Sequence, residues 1–149
     1  MSRAEGSEHA APRPPPGSYL IDTDALSELV RRPDGPVARH IRRVGEENVF
    51  TSVIVAGELR YGAARSASRS LADRVEGLLA RLVLAPVGPA TARAYATLRA
   101  HLASAGTPIG PNDLWIAAHA RVVDATVVTR NTREFRRVPD LRVETWSDA

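Results

Sequence analysis

Short apolar runs alternating with stretches of helical periodicity constrain this chain more than any other feature. Residues 19–21, 49–52, 83–87 and 125–129 read as strands, with a weaker run near 142–145. Between them, helical patterns are expected over 24–32, 36–44, 53–65, 70–82, 89–105 and 112–123, with a short turn at 134–137. Parallel strands need long, usually helical crossovers, so this alternation implies a mostly parallel sheet covered on both faces. The expected class is α/β, a three-layer α/β/α sandwich. Right-handed crossovers place all strand ends on one side of the sheet, where residues distant in sequence can converge.

The first run, Tyr19-Leu20-Ile21, stops abruptly at Asp22-Thr23-Asp24. Asp22 is thereby aimed into the crevice outside the strand ends, although it also suits the start of a turn. Asp24 fits a helix N-cap. On a helical wheel the angular neighbours of Glu58 are Ile54, Val55, Tyr61 and Gly62, which puts its carboxylate on an apolar face. An unpaired buried carboxylate is costly and calls for a cation, a hydrogen-bond partner or a raised pKa. Asp113 stands in the first turn of its helix, where the macrodipole favours negative charge. Asn131 follows the strand at 125–129 and suits both turn chemistry and a site.

Asp22, Glu58 and Asp113, with Asn131 as a neutral fourth group, are the residue types that hold a hard divalent cation such as Mg²⁺ or Mn²⁺. Such a site suits phosphodiester hydrolysis, because the metal acidifies water and offsets charge developing on the phosphate. Without a cation, clustered carboxylates repel one another by several kcal/mol at short range. The four histidines, His9, His40, His101 and His119, lack metal-ligand spacing and receive no role.

Composition narrows the partners. All 20 basic residues are arginine, and the formal charge is +3. Planar guanidinium groups suit phosphate, so nucleic acid is a compatible partner, although genome composition produces the same bias. Arg130, Arg133, Arg136 and Arg137 cluster beside the proposed site; Arg130 and Arg133 are the candidates for phosphate contacts, and the run also reads as a solvated face. The chain has no cysteine, no charged-then-apolar leader and no apolar run of about 20 residues, which points to the cytoplasm. Residues 1–17, with four prolines, are expected to be a disordered tail, and 18–149 a single domain.

Four segments in order carry a family resemblance: Leu20-Ile21-Asp22-Thr23-Asp24-Ala25-Leu26-Ser27-Glu28-Leu29; Thr51-Ser52 with Gly57-Glu58-Leu59-Arg60-Tyr61-Gly62; Pro108 through Asp113 to Ala118; and Val128-Thr129-Arg130-Asn131-Thr132-Arg133-Glu134-Phe135. Together they resemble the PIN-domain ribonucleases, and more narrowly the VapC toxins of type II toxin–antitoxin systems. The resemblance spans almost all of 19–146.

That resemblance implies an α/β/α domain, Mg²⁺- or Mn²⁺-dependent endoribonuclease activity, homodimers or higher homo-oligomers, and inhibition by a cognate VapB-like antitoxin. It places the family's metal-binding acids on Asp22 and Asp113, its helix-borne acid on Glu58 and its fourth site position on Asn131. Many members have aspartate at that fourth position, and asparagine often stands where this chain has Asp24, which suggests a supporting role for Asp24 and one tightly held ion. Two other readings compete. Asp22-Thr23-Asp24 superficially matches the nucleophile motif of haloacid-dehalogenase-type phosphatases, but the lysine that chemistry wants is absent. A non-catalytic module binding RNA or protein through its arginines would leave the acids structural.

Overall fold

The computed structural model describes residues 14–147. Five strands, β1 (Tyr19–Ile21), β2 (Val49–Ser52), β3 (Leu84–Ala85), β4 (Thr126–Val128) and β5 (Val143–Glu144), form one sheet in the order β3-β2-β1-β4-β5, and every pairing is parallel. Seven α-helices connect them: α1 (Thr23–Arg31), α2 (Pro36–Val44), α3 (Val53–Ser66), α4 (Arg69–Arg81), α5 (Pro89–Ser104), α6 (Pro111–Val122) and α7 (Thr132–Phe135). The expected α/β architecture is the observed one. The chain steps outward through β1, β2 and β3, then returns past β1 to lay down β4. With right-handed crossovers, α1–α4 cover one face and α5–α7 the other; accordingly α1 packs on α2, α3 and α4, and α5 packs along α6.

β1 is the central strand. Leu20 pairs with Phe50 on one side and Val127 on the other, and all three are buried. Their side chains, with Ile21, Val128, Leu26, Ile116 and Phe135, are almost wholly excluded from solvent. Each large apolar group so buried stabilises by roughly 1.5–3 kcal/mol, and Leu20→Ala would cost about 2–5 kcal/mol. No helix among the described residues is long and apolar enough to cross a membrane.

Local chemistry sets the helix starts. Three helices begin with glycine followed by proline, at Gly35-Pro36, Gly88-Pro89 and Gly110-Pro111, where proline has no amide to waste and its fixed φ suits the first turn. Ser52 and Ser68 cap α3 and α4 through their hydroxyls. The first helix begins earlier than periodicity suggests: Asp22, not Asp24, is its N-cap, and Asp22 Oδ1 accepts the Thr23 amide at 2.7 Å. β3 is shorter than the run 83–87 because Pro86 cannot donate to a ladder.

Residues 1–13 lie outside the described residues, and with them most of the expected tail. Within the described part, order begins before Ser18. The Gly17 amide donates to the Asp124 carbonyl at 2.9 Å, tying the lead-in to the turn before β4.

Candidate metal centre

The strand order reverses between β1 and β4, and the crevice outside their carboxyl ends is where an open α/β sheet binds ligands. A cavity of about 400 Å³ opens there, lined by Asp22, Thr23, Asp24, Ser27, Arg31, Glu58, Asp113, Arg130 and Asn131. All four proposed site residues face it, together with Asp24 and Arg130. Arg133 is exposed and does not line it.

Asp22 is delivered by β1 and is only 4% exposed. Its amide donates to the Val128 carbonyl at 2.8 Å, which continues the β1–β4 ladder to the cavity edge. Its Oδ2 accepts the Thr129 hydroxyl at 2.8 Å. Burial pushes the Asp22 carboxyl up to about 7; the bonds from Thr129 and the Thr23 amide oppose the rise, and the charges of Asp24 and Asp113 add to it. Asp24 is turned toward β4, where Oδ1 accepts the Arg130 amide at 3.0 Å.

Glu58 stands at the margin of the apolar face, partly buried, with Val55 buried and Tyr61 66% exposed beside it. The helical wheel predicts its direction correctly, but α3 meets solvent on the Tyr61 side. Both carboxylate oxygens are engaged: Oε1 accepts the Thr23 hydroxyl at 2.6 Å and Oε2 accepts the Asn112 amide at 3.0 Å. Asp113 enters from the first turn of α6. Burial pushes it up to about 6, aided by the charges of Glu134 and Glu58 and opposed by the Asn131 amide.

Asn131 Nδ2 donates to Asp113 Oδ2 at 3.3 Å and to Glu134 Oε2 at 2.8 Å. The residue proposed as a neutral fourth group therefore bridges two acids. Glu134, which carried no assignment from sequence, is the additional carboxylate at this edge. Its Oε1 accepts the Gly110 amide at 2.6 Å, and that bond, followed by the one from Asn131, holds its carboxyl below the usual range.

A metal site fits this donor set. Every side chain that could ligate in the cavity offers oxygen, the chemistry of a hard divalent ion. Burial first, and neighbouring carboxylates second, disfavour the charged forms of Asp22 and Asp113, which a cation at the site would stabilise. No three acidic or imidazole groups among the described residues come within reach of one ion position. In the cavity Glu58 is held by Thr23 and Asn112, Asp24 by the Arg130 amide, Asp22 by Thr23 and Thr129, and Asp113 by Asn131.

A family model for the PIN domain matches residues 19–141. The chain belongs to the PIN-domain family. Curated relatives place this PIN domain among the VapC ribonucleases. It is 37% identical to "Ribonuclease VapC2" of Haemophilus influenzae over 131 residues, covering 86% of this chain and 97% of that protein. It is also 37% identical over 134 residues to the "tRNA(fMet)-specific endonuclease VapC" of Salmonella typhimurium, with the same coverage. Among solved structures, it superposes on VapBC2 of Rickettsia felis bound to a DNA fragment from its promoter, with a TM-score of 0.81 and 30% identity over 87% of this chain and 98% of that one. DNA-bound VapBC of Salmonella typhimurium gives a TM-score of 0.79 and 32% identity, again over 87% and 98%. Membership of this family leaves no support for the phosphatase reading of Asp22-Thr23-Asp24.

Sequence reasoning missed three supporting groups of this PIN domain. Thr23 and Asn112 hold Glu58, and Thr129 holds Asp22. Thr23 and Asn112 are small polar residues each next to an assigned acid, and Thr129 stands two residues before Asn131 in the last motif segment; that proximity is the one signal that could have found them. A neighbouring slot of about 300 Å³ shares Thr23, Ser27, Arg31 and Glu58 with the acid cavity and continues between α1, α3 and α4 over Leu59, Ala63, Leu71 and Val75.

Proposed function

We propose that this PIN domain is a divalent-cation-dependent endoribonuclease, the toxin of a toxin–antitoxin pair. The observation that carries the reading is the convergence of Asp22 and Asp113 in one cavity, each with a carboxyl raised by burial and by neighbouring negative charge. Asp22 and Asp113 would hold Mg²⁺ or Mn²⁺ directly and Glu58 through water. A cation held there acidifies an attacking water and offsets charge developing on the phosphate.

The chain's own residues supply the rest. Thr129 orients Asp22, Asn131 orients Asp113 and keeps Glu134 beside it, and Thr23 and Asn112 fix Glu58. Arg31 and Arg130 stand on the cavity wall, and neither forms an ion pair among the described residues. They are suited to phosphates on either side of the scissile bond. Arg133, displaced from the cavity, would meet the RNA backbone further out.

The partner we propose is a VapB-like antitoxin whose segment lies in the adjoining slot and occludes the acids, and the toxin acts in the cytoplasm as a homodimer or larger homo-oligomer. Relatives solved as VapBC complexes support the pairing. Initiator tRNA is the first substrate to try, since relatives at 35% and 37% identity are named for it.

The test is cleavage of a tRNA panel by purified protein with Mn²⁺ or Mg²⁺, against excess chelator, alongside Asp22→Asn and Asp113→Asn. Loss of cleavage in chelator and in both variants is expected. Undiminished cleavage in chelator would overturn the metal-dependent reading, and metal binding without any RNA cleavage would favour a binding module.

A further inference from the structure

Thr51 and Ser52 close β2 and are wholly buried, yet neither lines the acid cavity. A buried hydroxyl is tolerated only when hydrogen-bonded, so the partners of these two are informative. Thr51 Oγ1 donates to the Ile21 carbonyl at 2.7 Å, immediately before Asp22. Ser52 Oγ accepts the Ile54 amide at 3.1 Å and so caps the helix that carries Glu58. The same oxygen lies 2.8 Å from Nδ1 of His119, which is 1% exposed and sits on the helix that carries Asp113. Since Ser52 already accepts the Ile54 N–H, its own proton is available to Nδ1 of a neutral imidazole. Burial holds His119 below its ordinary range, which favours that neutral form.

We propose that Thr51, Ser52 and His119 are positioning residues: a buried polar tie that holds the strand end of Asp22, the helix of Glu58 and the helix of Asp113 in fixed register, so that the cation affinity of the cavity depends on it. The inference rests on the metal-dependent reading above. Apolar residues of similar volume would pack this spot without the demand for three satisfied polar groups. What the polar trio adds is direction. α3 and α6 meet again at the cavity, where Asn112 donates to Glu58 at 3.0 Å. The Ser52–His119 bond is the buried second point of that attachment, and two points fix an angle where one does not.

The experiment is calorimetric Mn²⁺ titration of the whole chain and of Ser52→Ala, His119→Phe, His119→Asn and Thr51→Val, with Arg93→Ala as a surface control and circular dichroism to establish folding. Folded Ser52→Ala and His119→Phe should bind Mn²⁺ about 10- to 100-fold more weakly, the range for residues that orient metal ligands. His119→Asn, which keeps a polar atom near Nδ1, should recover most of the loss. Ser52→Ala combined with His119→Phe should bind no more weakly than the weaker of the two alone, as expected of residues that act as a unit. Wild-type affinity in folded Ser52→Ala, or equal affinity in His119→Phe and His119→Asn, overturns the proposal. If His119→Phe does not fold, Ser52→Ala, which removes a single oxygen, decides alone. If the wild-type chain itself binds no Mn²⁺, the metal reading has failed and the tie is judged by the crystal structure of Ser52→Ala: a displaced α6 with a broken Asn112–Glu58 bond supports it, and unmoved helices overturn it.

Discussion

Thr129 Oγ1 donates to Asp22 Oδ2 at 2.8 Å, joining the end of β4 to the end of β1. The same oxygen accepts the Asn131 amide at 3.0 Å, so the hydroxyl has one proton to give and gives it to Asp22. Thr129→Val removes that donor while keeping the shape. Without it the Asp22 carboxyl rises further, and Mn²⁺ affinity should fall about 10- to 100-fold. Thr129→Ser should retain most of it. Calorimetric titration of both variants checks the pair, and equal loss in Val and Ser would contradict it.

The Asp22 carboxyl titrates at about 7 in the folded chain, against an ordinary value of 3.8. A folded state that holds the proton more tightly loses stability as pH rises between those two values, here by on the order of 4 kcal/mol when no cation is present. In chelator, the melting temperature should therefore fall from about pH 4 to about pH 7. Asp22→Asn removes the buried charge and should melt above wild type at about pH 8 while abolishing cleavage. Cation binding has the opposite sign, since the carboxyls must be deprotonated to ligate, so the Mn²⁺-induced rise in melting temperature should grow with pH. Thermal scans across this range, with and without Mn²⁺, read both slopes.

Asn131→Asp replaces the amide that bridges Asp113 and Glu134 with a third negative charge. Lost hydrogen bonds and added repulsion should lower the melting point in chelator by several degrees, corresponding to roughly 1–3 kcal/mol. The extra carboxylate is also a better ligand, so added Mn²⁺ should raise the melting point of the variant more than that of wild type. A variant as stable as wild type in chelator would show that the bridge has little weight.

Arg31 and Arg130 flank the acids, so each alanine variant should weaken RNA binding in a salt-dependent way. For single-stranded RNA the log–log salt slope should drop by about 0.7 for each phosphate no longer neutralised. Binding is measured in Asp113→Asn protein, where cleavage does not interfere. Arg133→Ala should change the slope less, because Arg133 stands outside the cavity.

What could be read from the chain beforehand was whatever has a local period. The apolar run at 19–21 and the helical spacings around it fixed β1, α1 and the parallel sheet, and right-handed crossovers then predicted that Asp22 and Asp113 would meet. Three things had no local signature. Asp24 looked like the helix cap because it precedes the apolar pattern, but β1 ends so close to the helix that Asp22 takes the cap and Asp24 is drawn to the Arg130 amide. The setting of Glu58 depended on whether another element covers the Tyr61 side of α3, and a helical wheel gives direction but not cover. Glu134 reads as an ordinary polar residue in a short turn until α6 brings the Gly110 amide to it. All three were decided by contacts between segments far apart along the chain.

The placement of β4 beside β1 has a consequence for how the toxin is made. β1 is synthesised well before its second neighbour, Thr126–Val128, and Thr129 follows Asp22 by 107 residues. A chain that stops short of β4 has Asp22 at an open sheet edge, without the Thr129 hydroxyl that orients it. The acid pair is thus oriented only once β4 has joined β1, so a chain lacking β4 should show no nuclease activity.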